Sequence, residues 1–205
     1  MSANKPYIIG LTGGIGTGKS EAAKFLASLG AVHLDADAVS HALTAPDGEA
    51  LEPIRAEFGD GVFNEDGTLN RPALAEITFS DPARKRALEA ILHPRIQREL
   101  MRGIDRAAEE GAKVVVLDVP LLFETGMDAL CDETWVLAAD PETQVARVMM
   151  RDHINREQVE ARIQSQMPVE EKKKLATQVI PTERPMEKTQ AELASLYQQV
   201  LKRLG

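Results

Sequence analysis

The stretch GGIGTGKS, Gly13 to Ser20, constrains this chain more than any other. It fits the pattern G-x-x-x-x-G-K-[ST], with Gly13, Gly18, Lys19 and Ser20 at the fixed positions. Each residue type has a physical reason. Glycines let backbone N–H groups turn inward around a phosphate chain, and the helix that follows aims its positive end at the same anion. Lysine neutralises the outer phosphates, and the serine hydroxyl ligates Mg²⁺. The predicted cradle takes in Gly13, Gly14, Ile15, Gly16, Thr17, Gly18, Lys19 and Ser20. Its flanks agree: the apolar run YIIGLT (Tyr7 to Thr12) precedes it, and Ala22, Phe25, Leu26 and Leu29 line one face of a helix that stops at Gly30. The Lys-Ser pair separates this loop from a dinucleotide fingerprint.

Four more apolar runs are bounded by turn or cap residues: AVHL (31–34), KVVVLD (113–118), ETWVLAA (133–139) and TQVI (177–180). Near-continuous hydrophobic strands alternating with helical patterns predict a parallel sheet covered on both faces. Two gaps interrupt the rhythm. Between Ser40 and Gly111 only helical segments occur, with Leu51, Ile54 and Phe58 at helical spacing, and Pro94 is expected to kink or divide the last of them. From Asp140 to Lys174 the chain is rich in Arg and Lys, with Pro141 starting one helix and Asn155 capping the next, which reads as a mobile basic flap. A core of residues 1–37, 111–139 and 175–205, a helical insertion of 38–110 and a flap of 140–174 follow.

The 205 residues carry a formal net charge of -8, which argues against a general nucleic-acid backbone binder. One cysteine, Cys131, cannot form an intramolecular disulfide and lies in no metal-ligand spacing. No apolar run approaches the roughly 18 residues of a membrane helix, and MSANKPY lacks a signal-peptide core. No membrane association, a cytoplasmic location and a monomer are the expectations. Phosphate loops also serve GTPase switches and motors. The only Asn-Lys pair, Asn4-Lys5, does not continue into a guanine-reading segment, and a motor needs more chain. A helical insertion with a basic flap suits a kinase that encloses two small substrates and excludes water.

Candidate acids and bases sit at strand ends. Asp118 closes a buried strand, where an acid can orient Mg²⁺ opposite the phosphate loop. Glu124 faces the same cleft or is a solvated turn residue. In HLDADAVS, Asp35 and Asp37 lie two apart, and on an extended chain they share a face. Asp37 serves equally as a cap for a helix beginning near Ala38. Arg147 and Arg151 share a helical face, Arg162 follows, and a guanidinium on a closing segment can stabilise charge developing on a transferred phosphoryl group. Lys172 to Lys174 read as a solvated helix face, and His33, His41, His93 and His153 show no metal spacing.

In order and across nearly the whole chain, LTGGIGTGKS, DAD, LHPRI, DVPLLFE, RVMMRD and REQVEARIQSQ resemble the dephospho-CoA kinase family. The resemblance implies an α/β P-loop kinase fold, three layers α/β/α, with a five-stranded parallel sheet, a helical domain that binds the acceptor and a lid over 140–174. It implies transfer of the ATP γ-phosphoryl group to the ribose 3′-hydroxyl of dephospho-CoA, with Mg²⁺ as the accompanying metal, held by Ser20 and Asp118. By motif it assigns Asp37 as the group that accepts the hydroxyl proton, with Lys19 and Arg147 as further catalytic residues. Arg147 and Arg151 are presented to ATP, while Asp35, Asp37, Arg71, His93, Asp118 and Arg162 fall on the substrate side. Glu21 stands in the nucleotide-binding stretch where the family commonly carries Ser or Thr, and Thr182 and Arg184 stand where it shows Asn and Gly beside adenine. The alternatives are a kinase for another small hydroxyl substrate and a nucleotide-binding regulator without turnover.

Overall fold

The computed structural model describes residues 5–205. The reading of MSANKPY as lacking a signal-peptide core falls in part on residues 1–4, outside the described residues. Five strands form one parallel sheet in the order β2-β3-β1-β4-β5: β1 (Tyr7–Gly13), β2 (Val32–Asp35), β3 (Val114–Asp118), β4 (Glu133–Ala138) and β5 (Gln178–Pro181). Each coincides with one of the apolar runs, to within a residue or two at its ends. β3 and β4 are buried at every position, as strands covered on both faces must be. Alternate residues Ile9, Leu11, Val114, Val116, Trp135 and Leu137 pack in one core cluster with Leu26 of α1 (Lys19–Ser28) and with Leu193, Tyr197 and Val200 of α9 (Met186–Leu204). Arg203 of α9 also pairs with Glu133 at 2.6 Å, and Glu133 accepts a hydrogen bond from the Trp135 indole at 2.8 Å. Gly30, at φ 103°, supplies the left-handed residue that ends the α1 region.

The chain divides into two compact units. One comprises the chain up to Asp35 together with Gly103–Gly205, and the other Ala36–Arg102. The second unit contains α2 (Ala36–Leu43), α3 (Leu51–Phe58), α4 (Arg71–Ser80) and most of α5 (Pro82–Glu109), and among the described residues it carries no strand of the sheet. The 140–174 segment groups with the sheet-bearing unit. It folds as α6 (Pro141–Asp152), α7 (Arg156–Gln164) and α8 (Val169–Leu175). Asp140 caps α6 ahead of Pro141, and Asn155 caps α7 in a reciprocal capping box with Gln158, as that residue's position predicted.

Pro94 does not divide the long helix. α5 runs unbroken for 28 residues with Pro94 inside it and exposed to solvent. A mid-helix proline costs about 3 kcal/mol through a lost hydrogen bond and a ring clash. Continuous burial of Ile96, Leu100, Ile104 and Ala107 along one stripe opposes that cost, and the Arg95 guanidinium donates to the Ile91 carbonyl at 2.7 Å in the affected turn.

Cys131 lies against β1, where a Cβ added at Gly10 would stand 2.6 Å from its sulfur. Burial, followed by the charges of Asp128 and Asp132, pushes its thiol up to about 12. Its alkylation in the native protein at neutral pH should run about a hundredfold or more slower than in the unfolded chain, because the thiolate is the reactive form. Rates with iodoacetamide, with and without denaturant, check this; equal rates would contradict it.

Candidate functional site

The site is built at the carboxyl end of the sheet, where the strand order reverses: the chain leaves β1 for β2 on one side and leaves β3 for β4 on the other. β1 and β3 are direct neighbours, with Leu11 paired to Asp118, so the two loops that follow them are held side by side. The loop after β1 turns through Gly16 (φ 78°) and Gly18 (φ 83°), both left-handed. A Cβ at Gly16 would also collide with the Gln144 carbonyl and Val148, each 2.9 Å away, so glycine is required there twice over. Thr17 turns its hydroxyl back onto the Gly14 carbonyl at 2.8 Å, and α1 begins at Lys19 with its N-terminus at the loop.

Lys19 forms an ion pair with Asp118, which is 1% exposed. His33 Nε2 lies 3.2 Å from the other Asp118 oxygen. Burial pushes the Asp118 carboxyl up, but the His33 hydrogen bond and the charge and hydrogen bond of Lys19 outweigh it and hold it below the usual carboxylate range. Asp35 pairs with Asp118 across β2 and β3, and one ligand atom each of His33, Asp35 and Asp118 falls within 4.8 Å of the others. The four histidines still form no site among themselves; only His33 joins this group, and its partners are carboxylates. His33 meets the carboxylates through strand register, which spacing along the chain does not reveal.

Asp35 and Asp37 do not share an extended face. β2 ends at Asp35 and α2 begins at Ala36, so Asp37 sits inside the first turn of α2, exposed, rather than capping a helix from Ala38. Asp35 stays half-buried with the Asp118 group. In the second unit, Arg71 donates to the carbonyl of His41 and to the carbonyl and hydroxyl of Thr44 (3.4, 3.3 and 2.7 Å), closing the carboxyl end of α2, the helix that carries Asp37. His93 is half-buried on α5 of the same unit.

The 140–174 segment reaches the phosphate loop directly. Arg147 donates to the Gly16 carbonyl at 3.3 Å and to the hydroxyl and carbonyl of Thr182 at 3.2 and 2.6 Å. Arg151 and Arg162 meet on a single carboxylate, Asp152, so they converge instead of pointing apart into solvent. Glu21 is exposed and pairs with Lys24 at 2.9 Å, and Ser20 is exposed at the first turn of α1. Arg184 pairs with Glu192 of α9 and donates to Thr189 at 3.3 Å.

Three residues of the site escaped the sequence. Gln144 donates to the Ile15 carbonyl at 2.9 Å, and Gln166 accepts from the Ile15 N–H at 3.2 Å, so both polar backbone groups of Ile15 are held by side chains from the 140–174 segment. Lys172 is fully buried, against the expectation of a solvated helix face, and pairs at 2.9 Å with Glu124, itself more than a turn residue. A glutamine or lysine in a polar stretch carries no periodic signal for such a contact.

The geometry finds its counterparts among known proteins. A family model described as CoaE, dephospho-CoA kinase, matches residues 7–187. A dephospho-CoA kinase of Aromatoleum aromaticum is 47% identical over 199 residues, covering 95% of this chain and 90% of the relative. Among solved structures, a protein of Thermus thermophilus superposes with a TM-score of 0.82 at 41% identity, covering 96% of this chain and 98% of its own. The dephospho-CoA kinase of Campylobacter jejuni superposes with a TM-score of 0.72 at 27% identity, covering 97% and 98%.

Proposed function

The chain belongs to the dephospho-CoA kinase family, and we propose that it carries out that family's reaction with Asp37 as the base and the Lys19–Asp118 site as the holder of the nucleotide. The reaction is ATP-dependent phosphorylation of the ribose 3′-hydroxyl of dephospho-CoA, the last step of coenzyme A biosynthesis, and it yields CoA and ADP. The observation that carries the assignment of the nucleotide site is the pairing of the phosphate-loop lysine with an aspartate that ends the neighbouring strand.

In this reading the N–H groups from Gly14 to Ser20 and the Lys19 ammonium hold the β- and γ-phosphates, with Gly13 and Glu21 at the margins of the loop. Lys19 leaves Asp118 to do so, exchanging one anion for another. Ser20 and Asp118 offer the hard oxygen donors that Mg²⁺ requires, with the Asp35 oxygens close beside, so the donor set fits the ion. Bound there, Mg²⁺ would neutralise phosphate charge as it develops. Arg147, already seated on the Gly16 carbonyl, turns toward the transferred group, and Arg151 and Arg162 supply further positive charge from the 140–174 segment acting as a lid. Asp37 takes the proton of the attacking 3′-hydroxyl as the new O–P bond forms and the bond to ADP breaks. Arg71 and His93 contact the acceptor in the helical unit, Ala36–Arg102. The protein acts as a cytoplasmic monomer with no nucleic-acid partner. Among the described residues no helix is long and apolar enough to cross a membrane.

Incubation with Mg-ATP and dephospho-CoA should give CoA and ADP in equal amounts, while adenosine and simple sugars offered as acceptors should give little ADP. A folded protein that forms no CoA, or that prefers another acceptor, would overturn the reading.

A further inference from the structure

Lys172 is the first of a run of three lysines, and the run is not uniform. Lys174 is exposed and Lys173 pairs with Glu170 at 2.6 Å near the surface, whereas Lys172 is 0% exposed. Burying an ammonium group carries a large desolvation penalty, and a buried ion pair often stabilises no more than an apolar side chain of the same size would. The benefit of the charge must therefore lie in what its bonds hold in place. Lys172 donates to the Pro120 carbonyl at 2.8 Å and lies 2.9 Å from Glu124. Pro120 and Glu124 both belong to the loop that leaves Asp118.

Those two contacts close a circuit. The Pro120 carbonyl also accepts from the Thr12 hydroxyl at 3.0 Å, on the strand that enters the phosphate loop. Glu124 accepts from the backbone N–H of Met167 at 3.0 Å, and the adjacent Gln166 accepts from the N–H of Ile15 at 3.2 Å. The path Thr12, Pro120, Lys172, Glu124, Met167, Gln166, Ile15 thus starts on β1, passes through the loop after Asp118 and ends in the phosphate loop itself. The Ile15 side chain packs with Ile163 against the cluster of Val145, Val148 and Val159, but a cavity of about 220 Å³ lies beside Gly14, Ile15, Ile163, Gln166 and Met167, so packing is incomplete at the Gln166 end. Ile15 is held there by hydrogen bonds.

We propose that Lys172 is a positioning residue: through Glu124 and Gln166 it fixes the crest of the phosphate loop relative to Asp118, and so sets the geometry in which the phosphoryl group is transferred. This rests on reading the phosphate loop and Asp118 as the nucleotide site. Misplacement of a catalytic group by about 1 Å can cost on the order of a hundredfold in rate. A circuit with a flexible bypass at Gln144, which still holds the Ile15 carbonyl, should cost less.

The test uses Lys172→Met, Gln166→Ala and the double variant, measuring kcat, the KM for ATP and the melting temperature of each. Each single change should lower kcat by about tenfold or more while the KM for ATP moves by less than about threefold. The double variant should be no worse than the poorer single one within about twofold, since both cut the same circuit. A fall in kcat without a fall in melting temperature for Gln166→Ala separates positioning from a general loss of stability. Should Lys172→Met fail to fold, Gln166→Ala decides alone, because its side chain is half-buried and at the end of the circuit. Full kcat in Gln166→Ala, losses that multiply in the double variant, or a loss confined to KM would overturn the proposal. Full turnover in Lys19→Met would instead overturn the reading of the nucleotide site on which it stands.

Discussion

Replacing Asp37 by Asn should lower kcat by about a hundredfold or more and leave the KM for ATP within about threefold, since general-base catalysis contributes roughly 10²–10⁴-fold. The substitution keeps the side chain's shape and its place in the first turn of α2, while removing the capacity to accept a proton. Asp35→Asn is the informative companion. Asp35 lies at the end of β2 with its carboxylate in the group formed with His33 and Asp118, and its loss should act mainly through the metal and nucleotide. That predicts a shift in the Mg²⁺ and ATP dependence with a smaller change in kcat at saturation. Initial rates of CoA formation over a matrix of ATP and Mg²⁺ concentrations distinguish the two. A large kcat loss in Asp35→Asn alongside a nearly normal Asp37→Asn reverses the assignment. A loss of only a few fold in Asp37→Asn points to a group that aims the hydroxyl, as expected where the transition state is loose and proton transfer late.

The elements that sequence reasoning located share one property: their signal is local. The five β-branched runs became the five strands, Gly30 supplied the left-handed turn after α1, and Asn155 formed its cap with Gln158 three residues on. The phosphate loop was legible for the same reason, because eight consecutive residues hold its chemistry. What escaped depends on partners far away in the chain. His33 reaches Asp118, 85 residues distant, only because β2 and β3 pair in one particular register. Lys172 reaches Pro120 across 52 residues, and no pattern in KKK distinguishes the buried lysine from its solvated neighbours. The continuity of α5 through Pro94 belongs to the same class: local sterics argue for a break, and a stripe of buried side chains along the helix overrides them. The DAD motif shows the same limit at the smallest scale. Treating it as extended chain placed both carboxylates on one face, whereas the change from strand to helix between Asp35 and Ala36 gives them separate environments.

Lys19→Met should remove turnover by roughly 10²–10³-fold, the scale seen when one donor that stabilises developing charge is deleted. It should also change the stability of the unliganded protein in a pH-dependent way, and this follows from Asp118. In the native protein that carboxyl is held below its ordinary range, since the His33 hydrogen bond and the Lys19 charge outweigh burial. A group depressed in the folded state contributes stability that is present above its unfolded value of about 4 and is lost as pH falls through the lower folded value. Without Lys19, burial acts on Asp118 opposed only by His33, so the variant should melt well below wild type at pH about 7. The gap should narrow as the pH is taken below about 4, where protonation relieves the unpaired charge. Adding Asp118→Asn to Lys19→Met removes that charge outright. The double variant should recover melting temperature at neutral pH while remaining without turnover, which separates the structural use of the pair from its use on the nucleotide. A melting-temperature gap that stays constant across the acid range would show that Lys19 stabilises the fold by something other than its pairing with Asp118.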